Sequence, residues 1–384
     1  MQPGDSGATP GKTPLKDALE ECLETKGRLS PNYRENFERV VGSWIDFCHR
    51  RNVEALEDVT ERTMAAFAGH LARRVEAGQS DGVDGGIAAS TAWTYYDYVS
   101  AFLSWAVKWD YLTENPAEKA RAREPMPARP SSGEYNRQFW QSEQRQTVVD
   151  YVRRRVDSAY RHPIAPKPVL HKRLRDRALV ATLAYTGVRG GEILNDPTDD
   201  RRAGLRWKDV DLEDGRLRIL GKNQQVEDAQ LPTQAARPLR RWKDALEPTA
   251  SDWPVFPSMH VPTLSRKIAA ELGPKERSKR VSTSHHWAVV LDEEIEPPSI
   301  TTEGVRSILK RLTDAADVPG LGEDEYLTLH GARRGVGEKL YRERGHAAAQ
   351  RTLRHADPST TSEMYAHIEA SELADDVSEV FNGE

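Results

Sequence analysis

Residues 121–136 read RAREPMPARPSSGEYN, with prolines at 125, 127 and 130 followed by two serines. Each proline fixes its own φ, lacks an N–H donor and drives the residue before it out of the helical region. No helix or sheet ladder continues through such a stretch, so the chain must fold as two units on either side of it. The sequence therefore predicts a flexible tail over 1–13, a helical domain over 14–120, an extended solvated linker over 121–136 and a second domain over 137–384.

The first domain reads as helix throughout. PLKDALEECLETKG places apolar residues at helical spacing before a glycine stop, and SPNYRENFERVVGSWIDFCHRR opens on Ser30-Pro31, a helix-start pair. TERTMAAFAGHLARRVEAG and AASTAWTYYDYVSAFLSWAVKWDYL continue the pattern on either side of the loop GQSDGVDGG. The second domain is also mainly helical, apart from one β-like patch. There RLRIL alternates polar and apolar after the turn LEDG, and AQLP reads as a second short strand. Residues 245–300, with PSMH, GPKERSKR and LDEEIEPP, have weak periodicity and read as an irregular insertion, the adjacent His285 and His286 as loop residues. The expected fold class is mainly α, a small helical domain followed by a mostly helical one carrying a β-hairpin.

Composition excludes several classes. Hydrophobic residues make up 38% and charged residues 30% of the 384, enough for packed cores under a solvated surface. No apolar run reaches the roughly 20 residues that span a bilayer, and MQPGDSGATPGKTP has neither the basic nor the apolar part of a secretory signal. Two cysteines, Cys22 and Cys48, give neither a disulfide framework nor a zinc cluster. The expectation is a cytoplasmic protein without metal or cofactor. The net charge of −5 says little about partners, because the positive charge, mostly arginine, can be segregated on one face.

Four short strings in the second domain carry chemistry. LAYTGVRGGEIL sets Arg189 just past a glycine that ends one helix, so that its side chain emerges at the start of the next. RILGKNQQ puts Lys222 at the hairpin tip. LTLHGARRGVGEKL spaces His330 and Arg333 one helical turn apart. LRHADPSTTSEMYAHIE adds His355 and Tyr365, and its Thr360–Glu363 fits a capping box that starts the helix bearing Tyr365. Taken singly, each has a plain structural explanation: a capping arginine, a solvated lysine, a packed tyrosine.

Taken together and in this order, the strings resemble the signature of the tyrosine recombinases, the phage-integrase and Xer-type family: T-G-x-R-x-x-E at 186–192, G-K at 221–222, H-x-x-R at 330–333, then L-x-H at 353–355 and T-T-x-x-x-Y-x-H at 360–367. The resemblance runs from about Leu15 to Val380, the helical domain resembling the family's SAM-like core-binding domain. It implies a site-specific recombinase that cleaves and rejoins DNA through a 3′-phosphotyrosyl intermediate, with no cofactor. Tyr365 would be the nucleophile, Arg189 and Arg333 the phosphate clamp, His330 the proton acceptor, Lys222 the general acid and His355 a further donor to the phosphate. It also implies double-stranded DNA as partner and a homotetramer on paired sites, monomeric or weakly associated when free, with SELADDVSEVFNGE exchanged between neighbours. Arg153, Arg154, Arg155, Lys172, Arg173, Arg240 and Arg241 are candidate DNA contacts. Against the family pattern, Arg354 takes a place usually held by glycine, NDPTDDRRA lengthens the segment after Glu192, and Gln224, Glu227 and Asp228 follow G-K. A type IB topoisomerase-like strand breaker and a DNA-binding descendant that has lost catalysis are the alternatives.

Overall fold

The computed structural model describes residues 11–25, 31–78, 85–130, 138–161, 166–221, 224–365 and 368. The chain divides into two units, Met1–Tyr135 and Asn136–Glu384.

In the first unit, helices α1 (Leu15–Thr25), α2 (Pro31–His49), α3 (Glu61–Gly78), α4 (Ala89–Lys108) and the short α5 (Ala120–Arg123) turn their apolar stripes onto one another. Phe37, Trp44, Leu56, Tyr96, Phe102 and Leu103 are fully buried at its centre, each such side chain contributing roughly 1.5–3 kcal/mol relative to exposure. In this core the Tyr96 hydroxyl donates to the Ala117 carbonyl at 3.0 Å, whereas the Trp44 indole N–H has no hydrogen-bond partner. The proline-rich stretch departs from its expected character here. Ala122 and Met126 are buried in the helical core, the Trp93 indole donates to the Pro127 carbonyl at 3.0 Å, and the Arg129 guanidinium lies 4.5 Å from the Trp93 ring centroid. The prolines end the helices, but two apolar side chains and an indole are enough to fasten the chain that follows.

The second unit is built around α7 (Lys167–Thr186), which follows α6 (Ser142–Arg161). Helix α7 is buried on nearly every face, so its apolar residues show no one-sided stripe. Its charged pair is buried too: Asp176 has no exposed surface, Arg175 donates twice to it, at 3.1 and 2.6 Å, and Arg155 and Arg311 stand 3.8 and 3.7 Å away. After α8 (Gly190–Ile193) comes an antiparallel sheet of order β1-β2-β3, formed by Val210–Asp211, Arg216–Leu220 and Val226–Gln230. The last strand starts earlier than AQLP suggests. The Gly215 carbonyl accepts from Leu231 N–H at 2.7 Å, which pairs Arg216 with Gln230 and Leu220 with Val226. Pro232 then caps α9 (Thr233–Leu246).

Residues 245–300 are not irregular. They contain α10 (Val261–Glu271), α11 (Pro274–Thr283) and α12 (His286–Asp292). Leu264, Ile268, Trp287, Val289 and Val290 are buried in the core, while α11 reaches it through the partly buried Val281, so the apolar repeat is too sparse to show in sequence. His285 is a helix cap rather than a loop residue, its Nδ1 accepting from Trp287 N–H at 3.1 Å. Helices α13 (Thr302–Ala316), α14 (Leu329–Arg344) and α15 (His346–Leu353) follow, and residues 358–365 are helical.

Candidate active site

Gly187 ends α7 in the left-handed region, at φ +67°. A Cβ there would also sit 3.0 Å from the Leu353 side chain, so both backbone and space call for glycine. The chain reverses and Arg189 becomes the residue that caps α8. Glu192, with only 1% of its side chain exposed, accepts from Arg189 N–H and from Arg189 Nη1, both at 2.7 Å, and from Arg354 Nη2 at 2.6 Å. Burial by itself would raise the Glu192 carboxyl pKa. Arg354 and then the Arg189 bonds outweigh it and hold the group below its usual range, as a carboxylate.

Helix α14 begins at Thr328, whose hydroxyl accepts from Gly331 N–H at 3.0 Å. One turn in, Arg333 is buried, at 5% exposure. Its Nη1 donates to the Gly187 carbonyl at 2.5 Å and its Nη2 to the Leu353 carbonyl, so one guanidinium joins the end of α7 to the end of α15. Burial, then repulsion from Arg189, pushes its pKa down to about 9, which leaves it a cation at neutral pH. His330, a turn earlier, is exposed. It lines a cleft of about 540 Å³ together with Arg189, Arg202, Arg306, Tyr326 and Arg334. Desolvation by the surrounding protein, followed by the nearby Arg334, Arg333 and Arg189, lowers the His330 pKa below its ordinary value, so the ring is neutral and able to accept a proton.

Beyond α15, Arg354 adopts a left-handed φ of +53° and His355 follows. The His355 Nδ1 lies 2.8 Å from the buried Thr361 hydroxyl. Burial first, then Arg333, Arg189 and Arg354, depress its pKa to about 4. The next helix starts at residue 358, two residues before Thr360, because the Asp357 carboxylate accepts from Ser359 N–H at 2.9 Å and Pro358 stands at its first position. The expected Thr360–Glu363 box is thus displaced by an aspartate-proline start.

Tyr365 has no exposed surface. Its ring packs 5.3 Å from that of Tyr341 and 6.3 Å from that of Phe139, and its hydroxyl donates to the Arg334 carbonyl at 3.3 Å. The hydroxyl lies against Gly337, where a Cβ would come within 2.0 Å of it. Burial is the main reason the phenol pKa is raised well above 10. Arg333 opposes it.

Arg189 and His330 thus line one cleft, Arg333 lies buried in the same turn of α14 as His330, and the charges of Arg333 and Arg189 act on His355; Tyr365 is buried against α14. Lys222, at the hairpin tip, and the segment 369–384 that holds SELADDVSEVFNGE lie outside the described residues. The seven outer basic residues are spread away from this cluster. Arg153 pairs with Asp150 at 2.9 Å and Arg154 is exposed. Arg155 faces Asp176, and Arg173 donates to the Arg155 carbonyl at 2.9 Å. Lys172 lines a separate cleft with Arg175 and Arg311. Arg240 pairs with Glu213 at 3.0 Å, and Arg241 lies 4.4 Å from the Tyr160 ring centroid. Arg202, Arg306 and Arg334 were not expected at the site. Arg334 adjoins a motif residue, but Arg202 and Arg306 reach the cleft only through tertiary packing.

Residues 165–372 match the model of the phage integrase family. The tyrosine recombinase XerC of Xylella fastidiosa (strain 9a5c) is 23% identical over 272 residues, covering 71% of this chain and 78% of that protein. The XerC of Mycobacterium sp. (strain KMS) is 24% identical over 255 residues, 66% of this chain and 72% of the relative. Among solved structures, the Tn1549 transposon integrase in complex with transposon right end DNA superposes with a TM-score of 0.57 at 13% identity, covering 94% of this chain and 100% of that one. A lambda integrase dimer bound to a core site gives 0.52 at 15% identity, over 91% and 93%. The family model spans more than half of the chain and takes in every residue of the cleft, so this protein belongs to the phage integrase family, the tyrosine-type site-specific DNA recombinases.

Proposed function

We propose that Tyr365 is the nucleophile of this recombinase and that Arg189 and Arg333 bind the scissile phosphate of double-stranded DNA. The Tyr365 oxygen attacks phosphorus, the bond from phosphorus to the 5′ oxygen breaks, and a 3′-phosphotyrosyl link and a 5′-hydroxyl result. The phenol proton passes to neutral His330, and Lys222 protonates the departing 5′ oxygen. One phosphodiester replaces another, so no external energy source is consumed, and a 5′-hydroxyl of a second strand reverses the step to rejoin. The two guanidiniums meet the charge that grows on the non-bridging oxygens, a stabilisation of about 3 kcal/mol per donor in comparable oxyanion sites. His355 adds a donor to the same oxygens.

The observation that carries this reading is the convergence of three separate strings: Arg189 and His330 line one cleft, Arg333 ties the turns before Arg189 and His355 together through the Gly187 and Leu353 carbonyls, and both histidines feel the charges of Arg189 and Arg333. The first unit would supply the core-binding grip on DNA. Arg153, Arg154, Arg155, Lys172, Arg173, Arg240 and Arg241 would contact phosphates, giving an affinity that falls steeply with salt. Recombination would proceed in a homotetramer on paired sites. The deciding experiment is a nicked suicide substrate that traps the covalent adduct. Wild-type protein should become DNA-linked and Tyr365→Phe should not, while still shifting the same DNA on a gel. An adduct on the phenylalanine variant would place the nucleophile elsewhere.

A further inference from the structure

Two arginines outside the proposed chemistry converge on the tip end of the β2–β3 hairpin, where Leu220 pairs with Val226. Arg202, from the segment between α8 and β1, donates through Nη1 to the Gly191 carbonyl at 2.8 Å and the Leu220 carbonyl at 3.1 Å, and through Nη2 to the Gly221 carbonyl at 2.9 Å. One planar fork therefore joins the turn after Arg189 to the last described residues before the hairpin tip. From the other side, Arg354 gives Nη2 to Glu192 at 2.6 Å, and its Nε, which makes no hydrogen bond, stands 3.4 Å from the Glu227 carboxylate of β3 as an ion pair. Only 11% of the Arg354 side chain is exposed and 13% of that of Arg202. Both are turned inward onto the protein. Arg354 does this from a left-handed backbone that disfavours any side chain, so its side chain must gain what the backbone loses.

The rest of the hairpin repeats the arrangement. At the far end of β3, the Gln230 amide donates to the Thr186 carbonyl at 2.7 Å and the Thr352 carbonyl at 3.4 Å. The strand pair is thus tied at both ends to the two turns that hold Arg189 and His355. A hairpin held at its open end alone would leave its tip free to spread by about an ångström or more, whereas proton transfer needs a donor held to within about 1 Å.

We infer that Arg202 and Arg354 are positioning residues: they fix the tip end of the β2–β3 hairpin to the Arg189 turn, so that Lys222 is delivered to the 5′ oxygen of the scissile phosphate. The inference rests on the reading of Lys222 as the general acid, and its test separates the two. A substrate with sulfur in place of the bridging 5′ oxygen leaves as a thiolate and needs no proton. Single-turnover cleavage is measured on ordinary and sulfur-bridged DNA for R354G, R202Q, E227Q, K222A and R189A. Glycine suits the left-handed position, and E227Q cuts the tie to β3 without touching Glu192, which keeps the test sound if R354G unfolds.

The expected result is that R354G, R202Q and E227Q slow cleavage of ordinary DNA by roughly tenfold or more and come within about threefold of wild type on the sulfur substrate, as lost acid catalysis predicts. K222A should show the same pattern more strongly, and R189A should stay slow on both. If K222A is rescued while R354G and E227Q remain slow on both, the positioning role is overturned and the two residues act on the phosphate or the fold. If these variants cleave both substrates at the wild-type rate, the role is overturned as well. If K222A itself is not rescued, the lysine is not the acid and the inference falls with it.

Discussion

The proposed phosphate clamp and the proposed nucleophile are held in opposite ways. On the arginine side, Arg333 is fixed by two backbone carbonyls and Arg189 by the buried Glu192 carboxylate, each through part of its guanidinium. Such groups are ready for a developing anion and need little reorganisation when it forms. On the tyrosine side, the hydroxyl has one long bond of 3.3 Å to a carbonyl and is enclosed by Tyr341, Phe139 and Gly337. Burial keeps it protonated. If Tyr365 is the nucleophile, as proposed, its fully buried side chain must be released before attack. The proposal then lays two tasks, binding the electrophile and releasing the nucleophile, on two sets of contacts that can be broken independently.

The largest effect should come from Tyr365→Phe, which removes one oxygen and with it all covalent linkage. The loss of a single weak hydrogen bond should cost about 1 kcal/mol or less of stability, read from a urea midpoint. Next, Arg189→Lys keeps the charge but loses the fork, and should slow cleavage by about 10²–10³ with DNA binding little changed. Arg333→Lys should do the same and also destabilise the second unit by about 3 kcal/mol, since two buried carbonyls lose a donor and the cation loses its partners. Equal losses in binding and cleavage would make the arginines anchors and dissolve the contrast.

A smaller effect isolates the tyrosine side. Gly337→Ala drives a methyl into the Tyr365 hydroxyl and should cost up to about 3 kcal/mol. In the Tyr365→Phe background the cost should shrink, and a double-mutant cycle that showed no coupling would mean the hydroxyl is not seated there.

This contact illustrates what could be read from the chain and what could not. Arg189 beyond its glycine, the His330–Arg333 turn and the β2 alternation are local patterns, and each stands where local spacing puts it. The seat of Tyr365 is set by residues from α14 and from the start of the second unit, so sequence distance hides it. Arg202 was concealed for the same reason. Its segment reads as a polar insertion, and nothing local shows that its guanidinium meets three carbonyls across the fold. The helices of 261–292 escaped because α11 turns little besides Val281 toward the core and α12 is a mere seven residues long. The start at Asp357-Pro358 did have a visible signal, and the neighbouring threonines masked it.

The smallest effect is one of pH. In the folded protein His355 titrates at about 4 against an ordinary 6.5. Between those values the unfolded chain takes up a proton that the folded chain refuses, so stability present above pH 6.5 falls as the pH drops toward 4 and then levels. The drop from pH 7.5 to 5 should be about 1 kcal/mol for this partly exposed ring. It should vanish in His355→Asn when urea midpoints are compared.

The Arg175–Asp176 pair inside α7 bears on how such measurements are read. Because it is enclosed, salt screens it far less than it screens a phosphate contact on the surface. The second unit should therefore keep its shape over the concentrations at which DNA is lost. A plot of log affinity against log salt then counts the phosphates this enzyme grips, uncontaminated by melting of the grip itself.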